Sequence, residues 1–228
     1  MATKRVGTKR KGGKASSGLT KRAKTYGRRA GASIGVGFPE KMRSTLRYFA
    51  VVDLGAATFS TTKNFFSANG MFDPDLTNVG HQPLGFDQLM TIYNHYVVLG
   101  SKIKVTFFGR EDTNASGSAV VGIYADDSAA NSLTSESLVE GSGTRKWGVV
   151  TASDQKLTLR DSYTSNVVFG NAPLSDLTQR GTPAANPSEV HAFCVWATNE
   201  ATTTESVYAA VEIEYDAVFF ERADLPSS

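Results

Sequence analysis

The chain of 228 residues contains one cysteine, Cys194, so no disulfide can close within it, and neither a CxxC redox pair nor a cysteine-based zinc site can be assembled. Its setting, HAFCVWAT, reads as a strand thiol buried among apolar neighbours. Long apolar runs are also missing. No segment approaches the roughly 18–20 residues that a membrane-crossing helix needs, and the charged N-terminus has no apolar stretch of the secretory kind. The expectation is a protein with no membrane partner, made in the cytosol or destined for the nucleus. Histidine is scarce: His81, His95 and His191 fall into neither HExxH nor HxxEH spacing. No catalytic residue, metal or cofactor is therefore expected, and the chain is not read as an enzyme. Gly12-Gly13-Lys14 lacks the upstream glycine and the preceding strand of a phosphate loop, and Asn114-Ala115-Ser116 is a glycosylation sequon only in form.

Acid is missing from the first thirty residues. Met1 to Ala30 hold eleven cations, Lys4, Arg5, Lys9, Arg10, Lys11, Lys14, Lys21, Arg22, Lys24, Arg28 and Arg29, and no Asp or Glu. The modest net charge of +2 hides this division, because the other 13 bases stand against all 22 acids and leave the remaining 198 residues at −9. Residues 1–37 are built mostly from Lys, Arg, Gly, Ser, Thr and Ala, with Val6, Leu19, Tyr26, Ile34 and Val36 the sizeable apolar side chains after Met1. So little apolar surface cannot offset the ordering entropy, and a disordered basic arm is expected. Such a polyelectrolyte binds phosphate by releasing counterions, without base contacts. Its eleven cations are the expected nucleic-acid-binding residues. With Tyr26 as its one aromatic, stacking on bases would add little. Lys9-Arg10-Lys11 and Lys21-Arg22-Ala23-Lys24 also match nuclear import signals, as short runs in any polybasic arm do by chance.

From residue 38 the texture changes to strands. Ser44 to Leu54 alternates, with Leu46, Tyr48, Ala50, Val52 and Leu54 on one face, and Thr61 to Ser67 points Phe65 and Phe66 to opposite faces. A turn-rich loop from Asp73-Pro74-Asp75 to Gly85 leads into a helical pattern, Phe86, Leu89, Met90, Tyr93 and Tyr96, with Asp87 in its first turn. A strand from Tyr96 to Phe108 follows, where Ile103, Val105 and Phe107 alternate with Lys102, Lys104 and Thr106. Further strand patterns run over Gly117 to Asp126, Arg145 to Ala152, Gln155 to Asp161, Glu189 to Thr198 and Val207 to Arg222. A short helix capped by Thr134 or Ser135 fits between the first two of these. In the last strand Glu212, Glu214 and Asp216 occupy the face opposite Val211, Ile213 and Tyr215.

Eight strand patterns, no long helix and no internal repeat predict an all-β, eight-stranded antiparallel jelly-roll sandwich with short helices in its loops. One domain over 38–228 carries it, behind the arm of 1–37. Arg43, Arg47, Lys102 and Lys104 lie on strands and suit either a polyanion or plain solvent. The acids of Asp73-Pro74-Asp75 and Asp126-Asp127 lack the density of a calcium loop and read as turn formers.

The run FDPD, GHQPLGFDQ, YNHY and GSKIKVTF, in that order between Phe72 and Phe107, resembles the capsid proteins of small circular, replication-initiator-encoding single-stranded DNA viruses, circovirus-like members among them. The similarity spans about Phe38 to Phe108. It implies a single jelly roll whose identical copies close into a small T=1-like icosahedral shell. It also implies a circular single-stranded DNA genome packaged by the arm, and a life divided between the virion and the host nucleus, where import receptors would be partners. Lateral contacts between copies are expected from Asn69 to Gly85 and from Gly170 to Pro187. A jelly-roll ligand-binding module of cellular or phage origin, with a basic targeting tail, is the other reading. A cupin-type enzyme would need clustered His and Glu ligands that the sequence does not offer.

Overall fold

In a computed structural model the described residues are 37–55, 61–78, 80–109, 118–129, 133–141, 146–151, 156–170, 172–199 and 207–224. Residues 1–36, and with them all eleven arm cations, lie outside this set.

Eight strands follow in chain order: β1 (Lys41–Asp53), β2 (Thr61–Ser67), β3 (Tyr93–Gly109), β4 (Ser118–Asp126), β5 (Lys146–Thr151), β6 (Leu157–Thr164), β7 (Ala192–Asn199) and β8 (Val207–Arg222). They form two four-stranded antiparallel sheets, β1-β8-β3-β6 and β2-β7-β4-β5. First and last strands are neighbours, and each further pair across the sheets closes inside the previous one, which is the strand order of a jelly roll. Three single-turn helices, α1 (Phe86–Met90), α2 (Ser135–Glu140) and α3 (Ser165–Phe169), sit in the connections. Thr134 caps α2, its hydroxyl accepting the Ser137 N–H.

The period of two decides what is buried. Leu46, Tyr48 and Val52 of β1, Val211, Ile213, Tyr215 and Phe219 of β8, and Val121, Ile123, Phe193 and Val195 of the facing sheet form the core between the sheets. Phe66 joins this core, whereas Phe65 points the other way into a second cluster with Tyr124, Cys194, Trp196 and the α2 residue Leu138. The outer face of β2-β7-β4-β5 is thus partly roofed by apolar packing, and Cys194 lies buried within it. That environment pushes its thiol up to about 12, chiefly through desolvation, so it stays protonated and unreactive.

The helical pattern of Phe86 to Tyr96 is corrected. Only Phe86–Met90 is helical, and Tyr93 and Tyr96 belong to β3. A single turn gains little cooperatively, while the long β8 offers backbone partners out to Arg222, opposite Tyr93. Both tyrosines still pack inward, each ring 6.3 Å from Phe219. Beyond them the ladder slips between Val98 and Gly100. Leu99 is the extra residue of a β-bulge, and the inward set changes from Tyr96 and Val98 to Ser101, Ile103, Val105 and Phe107. A second correction concerns His191, which precedes β7 rather than lying within it. Its N–H is held by the Asn69 side chain at 3.1 Å, so the ladder opens only at Ala192.

Candidate nucleic-acid interface

The outer face of β1-β8-β3-β6 is open and charged, and strand register lays its side chains out in rows. One row runs Arg47, Glu214, Lys102, Ser162 across β1, β8, β3 and β6; the next runs Phe49, Glu212, Lys104, Arg160. The three acids that alternate with the core residues of β8 thereby stand between two basic strands. Each accepts from a cation. Arg43 Nε donates to Asp216 Oδ1 at 2.8 Å, with a second contact from its other nitrogen. Arg47 donates to Glu214 Oε2 at 3.0 and 3.2 Å, and Lys104 Nζ to Glu212 Oε1 at 2.7 Å. The Arg43 hydrogen bonds hold the Asp216 carboxyl below its usual range, against a smaller opposing effect of burial.

The four body cations singled out in sequence, Arg43, Arg47, Lys102 and Lys104, are therefore brought to one face of one sheet. Sequence reasoning missed Arg160 and Lys146. Arg160 alternates with Leu159 and Asp161, but only pairing of β6 with β3 places it opposite Lys104. Lys146 reaches over from the other sheet to Asp161 Oδ1 at 3.2 Å. Among the described residues Lys102 and Arg160 have no carboxylate within ion-pair distance. Exposed pairs such as these stabilise the fold little, typically under about 1 kcal/mol. Their arrangement matters more: a groove lined by Arg47, Lys102, Lys104, Lys146 and Arg160 keeps a positive excess on a body whose total is negative.

Residues 38–40, just ahead of β1, are tied to the same sheet. Tyr93 Oη donates to the Pro39 carbonyl at 2.9 Å, and Arg222 donates to the Phe38 carbonyl at 3.3 Å and pairs with Glu40 at 2.7 Å. The chain thus enters β1 from a fixed point beside Lys41 and Arg43.

At the loop end, the two segments expected to make lateral contacts hold one another. Tyr96 Oη accepts the Met71 N–H at 2.9 Å, and Asn186 Oδ1 accepts the Phe72 and Asp73 N–H groups at 3.0 and 3.1 Å. Asn186 Nδ2 returns a bond to the Asp73 carbonyl at 2.7 Å, and Tyr96 exchanges backbone hydrogen bonds with Gly181. Asp75 is a turn former: its Oδ1 accepts from Asn64 Nδ2 and from the N–H groups of Thr77 and Asn78. Leu84 and Leu177 on these loops, and Val167 of α3, are left 90%, 71% and 82% exposed.

His191 just precedes β7, its ring 5.1 Å from Tyr163 and within the field of Asp127, Asp126 and Asp161. Burial holds its pKa below the ordinary 6.5, and the three acids only partly offset that. The unfolded chain therefore takes up this proton first as pH falls. Stability should drop below pH 6.5 until the folded value is reached, by at most about 1.4 kcal/mol per pH unit from this residue. Melting curves of wild type and His191→Gln between neutral and mildly acid pH check it: the variant should lose less on acidification, and parallel curves would rule the effect out.

Among the described residues no group of three or more His, Cys, Asp or Glu could hold a metal ion, and no helix is long and apolar enough to cross a membrane. What the fold and face define is a jelly roll with one apolar-roofed sheet and one charged, open sheet. No family model and no curated protein matches the chain. Among solved structures it is similar to the 60-mer BFDV capsid protein, at 12% identity over 84% of this chain and 100% of that one, with a TM-score of 0.44. It is likewise similar to Cocksfoot mottle virus (10% identity, 80% and 96% covered, TM-score 0.46) and to the empty head of Turnip yellow mosaic virus (12%, 85% and 88%, TM-score 0.44).

Proposed function

We propose that this chain is the coat protein of a small single-stranded DNA virus, which self-assembles into a closed icosahedral shell of T=1 type and packages its genome through Lys4, Arg5, Lys9, Arg10, Lys11, Lys14, Lys21, Arg22, Lys24, Arg28 and Arg29. The observation that carries the reading is the division of charge. Eleven cations without an acid precede, in the sequence, a jelly roll of net negative charge that carries an open sheet with a basic groove. In a shell that sheet faces inward and the genome lies against it. The roofed sheet and the interlocked loops bearing Leu84 and Leu177 then belong to the outer and lateral surfaces. Neutralisation of the arms by DNA removes their mutual repulsion and couples packaging to assembly. The protein accordingly resides in the virion and, during assembly, in the host nucleus, with import receptors reading its basic runs.

Negative-stain electron microscopy of the purified protein, with absorbance at 260 and 280 nm on the same fractions, tests this. Uniform closed particles that carry nucleic acid are the expected outcome. Monomers or small oligomers at every salt concentration would overturn the shell.

A further inference from the structure

We infer that Lys102, Arg160 and Ser162, on adjacent strands of the open sheet, form a seat for one phosphate of a single-stranded nucleic-acid backbone. This rests on the packaging role proposed above and deepens it, because it assigns a recognition element to the folded body in addition to the arm.

Register carries the argument. Lys104 stands directly opposite Arg160 and Lys102 directly opposite Ser162. Like charges placed opposite on an antiparallel pair repel and cost stability, so a carboxylate between them would be the usual remedy. The sheet supplies one only on the other side. Glu212 is taken by Lys104, and Glu214 by Arg47, across β8 from β3. In the two rows four cations face two acids, and the excess sits at the β3–β6 side. Lys102, Arg160 and Ser162 are all exposed there and line one groove. The Lys102 ammonium stands opposite the Ser162 hydroxyl and diagonal to the Arg160 guanidinium, roughly 7–8 Å away across the pair, so the three can close on a tetrahedral oxyanion between them. Lys146, whose Nζ is drawn to the Arg160 carbonyl and to Asp161, closes the groove's rim with a further positive charge. Asp161 does not compete, since its carboxylate is buried and turned to Lys146 and to its neighbour's N–H. A backbone phosphate matches this set of three donors; the groove's exposed aromatic, Phe49, lies on β1, across Glu212 and Lys104 from Arg160.

The full-length chain and its Lys102→Gln/Arg160→Gln variant should be compared in binding a ten-residue oligothymidylate across a chloride series, with a variant carrying glutamine at the eleven arm cations alongside. Loss of the seat's one phosphate contact should flatten the plot of log affinity against log salt by about 0.7, the value per phosphate on a single strand. An unchanged slope in the seat variant with a flattened one in the arm variant would overturn the seat and leave packaging by the arm intact. If neither variant flattens it, the packaging reading itself fails. Protection of Lys102 from acetylation in the wild-type chain supplies a second readout that needs no variant to fold. An abasic oligonucleotide should protect it as well as oligothymidylate does, equimolar inorganic phosphate should protect it less, and equal acetylation with and without oligonucleotide sinks the seat.

Discussion

Removal of residues 1–30 is expected to yield particles with a protein-like absorbance ratio, emptied of nucleic acid, or no particles at low salt where the wild-type chain forms them. Eleven cations on a single strand correspond to a salt slope of about 8, so the full chain should lose on the order of 10³–10⁵ in affinity between 50 and 200 mM salt. The truncated chain keeps only the shallow dependence of its body. Nucleic-acid content of purified particles, measured against salt for both chains, decides the matter. Unchanged content after truncation would remove the arm from the packaging mechanism. Substituting the arm cations by glutamine while keeping its length separates charge from tether, and charge is expected to account for nearly all of the effect.

The second large effect lies at Gly181. A Cβ there would fall 2.1–2.4 Å from the Tyr96 ring. That ring cannot retreat: it is fully buried and 5.3 Å edge-on to Phe86, and its hydroxyl accepts the Met71 N–H. Gly181→Ala should therefore cost at least the ~1–3 kcal/mol typical of overpacking and pull the two interlocked loops apart. Tyr96→Phe removes only the hydroxyl and leaves the Met71 N–H unpaired, for about 1–3 kcal/mol. Denaturant unfolding measures both, and particle yield reads the loops: the glycine variant should fail to assemble even where it remains folded. A variant of wild-type stability and yield would show that the interlock is dispensable.

Most of the fold could be read in sequence because its strands obey a period of two. Val207 to Arg222 was legible residue by residue, and Thr61 to Ser67 down to the opposite destinations of its two phenylalanines. Reading failed where a local pattern imitated another period. Phe86, Leu89, Met90, Tyr93 and Tyr96 satisfy helical spacing, yet the decisive term was long-range pairing of Tyr93 and Tyr96 with β8, which no window of sequence contains. His191 was misplaced for a similar reason, since the Asn69 side chain that holds it comes from a loop 122 residues earlier. The candidate interface was half legible. Alternation put Arg43, Arg47, Lys102 and Lys104 on strands, but which cations are neutralised depends on β8 lying between β1 and β3, and Arg160 acquires meaning only through β6.

The bulge at Leu99 gives one strand two outward surfaces. Before it, Val97 joins Val218 and Phe220, with Leu99 and Leu174 packed against them; after it, Lys102 and Lys104 face outward. The bulge thus stands at the boundary between a greasy end and an ionic end of the sheet, where the outward residues also change from Val97 and Leu99 to Lys102 and Lys104. Its position works as a phase marker: counting from Leu99 fixes which side chains of β3 pack in the apolar end and which stand in the charged rows.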